Sequence, residues 1–512
     1  MRLLKCVPTV LGLVIAVSPA AHAQPAPEPG EPGPPEDLGP TEAAQLPSED
    51  DSVRSITERL QGLLGRPRGL TADQVAARAA ATSFDAKSKL EDVRAAEADV
   101  DRAVMAFVPR LTFTGRYTRL SAVDDAAVGP DQGSLVGTTA PAGPLPPGAP
   151  LIGLPASAFS FPQILDQWHL QANLTVPISD YVLSTSKAHA ATKSSRRAAE
   201  LNVKATALQA AANARVAYYG WARARLSVVV AEESVTQSKA QLDTVRLSEK
   251  AGRASEADVL HAESAVANAQ LLETRAKSLF RVSAARLRTV MHEPRSGSWE
   301  IGEQVLRPQP GDDERTSPEA LVREALSKRL ELQALERTAH SLQKQSDVLS
   351  SQAIPRLEAF GNAYYSNPNQ RIFPQEKKWR ATWDVGLQIT WSPNDLGTAP
   401  ASARGLDAQR GKVSYQKKAL EDAVLLEVTE AVAALKEARA SVKTAETAMK
   451  SAEASYRVRR KLYQYGRGTA LEVFDAEVAL LRSRLTYIDA FVSLRIARVQ
   501  LDHAVGRDVR DV

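Results

Sequence analysis

Two kinds of apolar periodicity run along this chain, and their order is given twice. In Trp379 to Trp391 the residues Trp379, Ala381, Trp383, Val385, Leu387, Ile389 and Trp391 alternate with Arg380, Thr382, Asp384, Gln388 and Thr390, which is the period of a two-faced strand. Leu111, Phe113, Gly115 and Tyr117 alternate with Thr112, Thr114, Arg116 and Thr118, and Trp168, Leu170, Ala172, Leu174 and Val176 alternate with His169, Gln171, Asn173 and Thr175. Leu357, Ala359, Gly361 and Ala363 open a fourth strand. Elsewhere the apolar steps are three and four. Val428, Ala431, Leu435, Ala438, Val442, Ala445, Met449, Ala452 and Tyr456 form one helical seam, and Phe474, Val478, Leu481, Leu485 and Ile488 another.

Punctuation sets the lengths. Thr71 and Gln74 form a capping box that starts a helix with no Gly or Pro before Pro109. From about Ser184 to Lys250 there is no proline, which predicts one helix of roughly 100 Å at 1.5 Å per residue. A turn at Gly252 leads to a returning helix that ends near Pro294. Ser317-Pro318 then starts the series again, and both opening helices end in Pro-Arg-Leu, at Pro109 and Pro355. The halves agree in spacing from strand to hairpin tip but differ by about 31 residues between their paired strands, in the Gly/Pro/Ala-rich loop 119–167, where an insertion costs little entropy. The expected organisation is a first repeat at 51–315 and a second at 316–507. Their strand pairs are 110–119/168–177 and 356–365/379–391, and their hairpin tips lie near 252 and 466. A short tail, 508–512, follows.

A strand half-buried on a soluble core alternates as well. Here, however, Trp stands at both ends of the apolar face, and the length of the stretch suits a tilted membrane crossing. Residues 1–23 read as a signal peptide, with Arg2 and Lys5 before the apolar run Val10 to Val17 and Ala21-His22-Ala23 at the cleavage site. Residues 24–50 form a Pro/Glu-rich lead without a core. Cys6, the one cysteine, leaves with the signal, so the mature chain has neither disulfide nor cysteine ligand. No long apolar run remains, and any crossing must be by strands. The net charge of +4 over 512 residues gives no reason to expect nucleic acid.

Four strands with one lipid-facing side cannot close, and an open edge in lipid leaves backbone groups unpaired at several kcal/mol each. Copies of the chain must supply the rest. Three give twelve strands. This succession of helix, Pro, strand, loop, strand, long helix, glycine turn and helix, given twice behind a signal peptide, resembles the TolC-like outer-membrane efflux proteins over residues 71–507. The most specific residues are Gly252-x5-Asp258-Val259-Leu260-His261-Ala262-Glu263 and Gly466-x5-Glu472-Val473-Phe474-Asp475-Ala476-Glu477. The resemblance implies an α+β membrane protein: a trimeric twelve-stranded barrel in the outer membrane, continued by a periplasmic α-helical barrel. It further implies a passive export duct for efflux or type I secretion, docked to a periplasmic adaptor and an inner-membrane pump, with neither catalytic residues, cofactor nor metal.

Within that family the hairpin tips form the periplasmic entrance and meet the adaptor. Gly252, Gly466 and Gly468 suit tight turns that need positive φ. Glu472 and Asp475 share a helix face and match the family's acidic entrance ring, while Asp258 and Tyr463 match residues that hold the entrance shut through a tip arginine. In this chain the matching position is Gly468, and the nearest arginine is Arg467. A second role for Glu472 and Asp475 is simple helix-start stabilisation. Trp168, Trp379, Trp383 and Trp391 are expected at the membrane interface. A rival of another class, a periplasmic coiled-coil adaptor or scaffold, would share the signal, hairpins and heptads but has no use for four two-faced strands.

Overall fold

The computed structural model describes residues 58–122, 135–138, 147, 151–154, 164–293, 299–307 and 317–508. The expected signal peptide, the Pro/Glu-rich lead, much of loop 119–167 and most of the C-terminal tail lie outside the described residues.

Elements follow in the order α1 (Ala72–Thr82), α2 (Phe84–Met105), β1 (Arg110–Arg119), β2 (Leu135–Thr138), β3 (Leu151–Leu154), β4 (Asp166–Val176), α3 (Ser186–Lys250) and α4 (Glu256–Met291). After these come α5 (Pro318–Lys328), α6 (Leu330–Ser350), β5 (Arg356–Asn367), β6 (Arg380–Thr390), α7 (Asp395–Gln464) and α8 (Ala470–Val505). A π-helical turn, Tyr181–Thr185, feeds α3. The small antiparallel pair β2–β3 lies in the segment expected to be pure loop.

The opening helix of each half is not continuous, as its lack of Gly and Pro had predicted, but breaks at the same relative position. At Ser83 the backbone turns to ψ 124° and the hydroxyl accepts the Ala86 N–H, so that a capping residue restarts the helix. At Arg329 the same turn has a tertiary cause. The side chain is drawn inward to pair with Glu427 at 3.1 Å and donates to the terminal carbonyls His503 O and Ala504 O of α8. A cation on those free carbonyls satisfies the end of α8 and fixes the α5–α6 corner in one contact.

Each long helix serves different partners along its length. Near the sheet α3 packs on α2, and on α6 through Leu201, Ala205, Leu208, Leu330 and Ala334, and farther along it packs on α4 and α8. The two hairpins thus lie side by side in the order α4, α3, α8, α7. A belt around the middle of α3 holds the largest core, with Tyr218, Trp221 and Leu226 packed on Leu287, Ile488 and Val492, and on Val75 and Ala79 of α1. Burial there leaves the Tyr218 hydroxyl bonded to Leu70 O at 2.7 Å. The seam Val428–Ala445 of α7 is buried as its spacing predicts. The α8 seam is buried at Phe474 and Ile488 and packs on the core at Leu481 and Leu485, but Val478 is exposed, while Val473, Ala476 and Leu480 beside the seam are buried as well, because α8 is sandwiched between α3 and α7 and hides more than one stripe.

The sheet runs β1-β4-β5-β6, antiparallel throughout, with β1 and β6 as open edges. Its register aligns the apolar residues of all four strands in rows, such as Phe113, Ala172, Ala363 and Trp383, or Leu111, Leu174, Gly361 and Val385. The opposite face stacks Thr112, Asn173, Asn362 and Asp384. The apolar face is the uncovered one: Phe113, Trp383, Val385, Leu387 and Ile389 are between 69% and 75% exposed. Across the polar face, Asn173 and Gln171 donate to Asn362 Oδ1, and Asn362 donates to Asp384. Phe360 covers Gly386 so closely that a Cβ there would lie 2.7 Å from the ring, which explains the one glycine within β6.

Arg329→Ala should lower the midpoint of helical melting, followed by circular dichroism, by the equivalent of about 1–3 kcal/mol, since it strips α8 of its cation and leaves Glu427 half-exposed and unpaired.

Candidate functional site

The two hairpin tips are built alike, residue for residue. At the first, Gly252 has φ +70°, its N–H meets Glu249 O, and the Arg253 N–H closes on Ser248 O at 2.8 Å. At the second, Gly466 has φ +68°, its N–H meets Tyr463 O, and the Arg467 N–H closes on Leu462 O at 2.8 Å. Both are Schellman endings, in which only glycine takes the left-handed position without a Cβ penalty. Gly468 differs from the expectation. Its φ is not positive; a Cβ there would lie 3.3 Å from Leu462 Cβ and Tyr463 N, so its smallness serves close approach. The equivalent position of the first tip is Ala254.

Each returning helix starts on a capping box. Ser255 accepts the Asp258 N–H while Asp258 Oδ2 accepts from Ser255 N at 2.9 Å and Ser255 Oγ at 2.7 Å. The Ser255 backbone bond, with the hydroxyl bond second, holds the Asp258 carboxyl below the usual aspartate range. Thr469 and Glu472 repeat the arrangement, and Glu472 Oε1 stands 3.6 Å from Arg459. Capping is therefore an observed role of Asp258 and Glu472, and it uses one carboxylate edge of Glu472 while the residue remains exposed. Asp475, next on the same face, is exposed.

The tips meet through Val245, Ala262, Ala470 and Phe474, bordered by Val259 and Tyr463, with the His261 ring edge-on to Phe474 at 4.8 Å. Tyr463 borders this cluster, whereas Asp258 is held by its own cap at Ser255, and no described hydrogen bond joins the two. The Tyr463 hydroxyl is buried without a partner, and no described contact links Arg467 to Asp258 within one chain. His261 is exposed and lays its ring edge-on over Phe474. Arg253 holds in the first tip the place that Arg467 holds in the second, a correspondence that only the matching backbone closures reveal.

A second feature lies farther along the same helices. Glu477 and Ser238 are buried between α8 and α3, with the hydroxyl donating to Glu477 Oε1 at 2.7 Å. Arg484, 4% exposed, faces Glu453 at 4.0 Å, and buried Tyr456 packs nearby against Leu480. Desolvation raises the carboxyls of Glu477 and Glu453 and lowers the Arg484 guanidinium. These charges occupy positions that heptad counting treats as seam or flank, so only the three-helix contact makes them buried.

Trp168 and Trp379 lie at the sheet end remote from the helices, where Trp168 packs on Tyr117 at 4.5 Å and Trp379 stacks on Tyr365 at 4.9 Å. Trp391 marks the helix-proximal end, with its indole donating to Ala353 O. Trp383 stands in the apolar band between them. Among the described residues no helix is long and apolar enough to cross a membrane.

An exposed apolar sheet face with aromatic ends, joined to paired helical hairpins, defines a strand-spanning channel protein of the outer membrane rather than a water-soluble coiled-coil protein. The chain belongs to the outer membrane efflux protein family, whose pattern it matches over residues 76–291 and 321–507. Its fold is shared with VceC of Vibrio cholerae (15% identity, 85% of this chain and 96% of that one, TM-score 0.66) and the CmeC outer membrane channel of Campylobacter jejuni (14%, 85% and 85%, 0.66). The outer-membrane channel OprN is similar over 93% of this chain and 98% of its own, at 17% identity and a TM-score of 0.65. No match was found among curated protein sequences.

Glu477→Gln should raise the melting temperature at neutral pH. A carboxyl raised in the folded state costs stability once pH climbs through the ordinary glutamate range, where the unfolded chain ionises first, and this cost is absent in acid. Melting curves of the two proteins should therefore converge as pH is lowered.

Proposed function

We propose that this efflux channel is a homotrimer in which three sheets close one twelve-stranded barrel and the hairpins continue it as a periplasmic tunnel. The observation that carries the reading is the four-stranded sheet with its apolar face outward and its two edges, β1 and β6, unpaired. In lipid those edges require strand partners, and the β1 edge of one copy against the β6 edge of the next satisfies both with cyclic symmetry. Trp168 and Trp379 then anchor the outer interface and Trp391 the periplasmic one, about a strand length apart, while Trp383 faces the acyl chains.

The duct works passively. Its polar sheet face and the concave side of the hairpins line a water-filled path, and export is driven by an inner-membrane transporter reached through a periplasmic adaptor. The two Schellman tips suit adaptor docking because they are short, rigid and exposed. The neighbour solved as CmeC is described as an outer membrane channel and that solved as MtrE as an open state, which supports a gated path of this shape.

At the entrance, Glu472 and Asp475 from three chains form a ring of six carboxylates that favours cations. Asp258, Tyr463 and Arg467 surround it. Because Asp258 is engaged by its own cap and the Tyr463 hydroxyl has no partner within one chain, contacts that close the ring come from the neighbouring chain or from a shift of the second tip.

Light scattering of the detergent-extracted mature protein, with detergent subtracted, should give close to three chains; a monomer soluble without detergent would end the barrel reading. Replacing Glu472 and Asp475 together by Ala should weaken cation selectivity and block by multivalent cations in planar bilayers.

A further inference from the structure

The connection from β5 to β6 does not extend away from the sheet. Its first residues, 369–371, turn back over the polar face, the one that lines the barrel if the trimer reading holds. Asn369, only 4% exposed, donates to Arg380 O at 3.0 Å and Thr382 Oγ1 at 3.2 Å, and its Oδ1 accepts the Arg371 N–H at 3.0 Å. Gln370 crosses to β4 and donates to Gln167 Oε1 at 3.0 Å. The Arg371 side chain then reaches inward, with Nη1 2.6 Å from Asp384 Oδ1 and the guanidinium over the Tyr364 ring at 4.2 Å.

Depth gives this contact its meaning. Asp384 pairs with Asn362, five positions before the end of β5, so at roughly 3.3 Å per residue the guanidinium sits on the order of 15 Å inside the strand end. The row at that level is Thr112, Asn173, Asn362 and Asp384, in which Asp384 is the one ionisable group. Its Oδ2 accepts from Asn362, which in turn accepts from Asn173 and Gln171. A hydrogen-bonded row across three strands therefore ends on one carboxylate, and Arg371 neutralises it. Both groups stay partly exposed, with side chains 45% and 30% accessible, so they face the aqueous path.

We propose that Arg371 and Asp384 form a charge-neutral constriction inside the outer half of the barrel and that this pair sets ion selectivity at the exit, as a site separate from the acidic tips. Three inward-folded segments narrow the lumen, with three guanidiniums held at fixed depth. The arginine's planar fork stacks on Tyr364 while it meets the carboxylate, a geometry lysine shares only as a point charge. Without Arg371, three uncompensated carboxylates would line the exit; without the Asp384 charge, three cations would.

The test is single-channel recording in planar bilayers under a salt gradient. Arg371→Ala should raise conductance and shift the zero-current potential toward cation selectivity. Asp384→Asn, which keeps an acceptor for Asn362, should shift it the opposite way, and Arg371→Lys should stay near wild type in selectivity. Arg371→Ala with wild-type conductance and zero-current potential would overturn the proposal. Should that variant fail to assemble, an unchanged potential in Asp384→Asn would overturn it equally. This inference rests on the barrel reading, and the two fail differently: wild-type protein that never forms channels defeats the barrel, whereas wild-type channels indifferent to both substitutions defeat only the exit pair.

Discussion

The rest of the molecule depends on one constraint, a sheet whose apolar face is its uncovered face. In water each large apolar side chain left exposed forgoes roughly 1.5–3 kcal/mol of burial, and Phe113, Trp383, Val385, Leu387 and Ile389 would do so together. Only lipid removes that cost. Lipid in turn forbids unpaired strand edges, and this is the constraint behind the proposed pairing of β1 of one copy with β6 of the next. Membrane location, and with it the proposed oligomer and polar lumen, turns on which side of four strands is greasy.

In the proposed trimer the helices answer a second demand, that a narrow barrel be extended by a wall one helix thick. A helix in such a wall has two neighbours and two solvated faces, so its buried stripe must be narrow and its residues small. Ala431, Ala438 and Ala445 on α7, and Ala207, Ala211 and Ala214 on α3, meet that demand. Where α3, α7 and α8 pack more fully, the chain places Glu477, Arg484 and Glu453 instead of more leucine. Buried charges of this kind restrict which register the helices accept, because a shift of one turn would leave each carboxyl without its Ser238 or Arg484 partner.

The residues of the proposed gate show how local and assembly-level roles would share one side chain. Glu472 closes a capping box with Thr469 and still presents a carboxylate to the face it shares with Asp475. The polar sheet face repeats the economy at the other end, where Asp384 both terminates a hydrogen-bonded row and receives Arg371. In the proposed duct, fixed charges thus stand at both ends of the path, each held by the element it stabilises.

The sequence by itself determined the four strands, the long hairpins, the doubled order and the glycine tips, because each depends on local periodicity or on a backbone conformation that one residue type favours. Trp at both ends of an alternating stretch also carried the membrane reading. Tertiary structure alone decided the rest. The break at Arg329 follows from the end of α8, far along the chain, and the burial of Glu477 from a third helix. Gly468 proved to be a packing residue rather than a turn residue, since only the neighbouring Leu462 and Tyr463 make it one. Arg371 looked like any loop cation until the register of β5 and β6 put Asp384 beneath it, because no local pattern records the direction in which a loop folds.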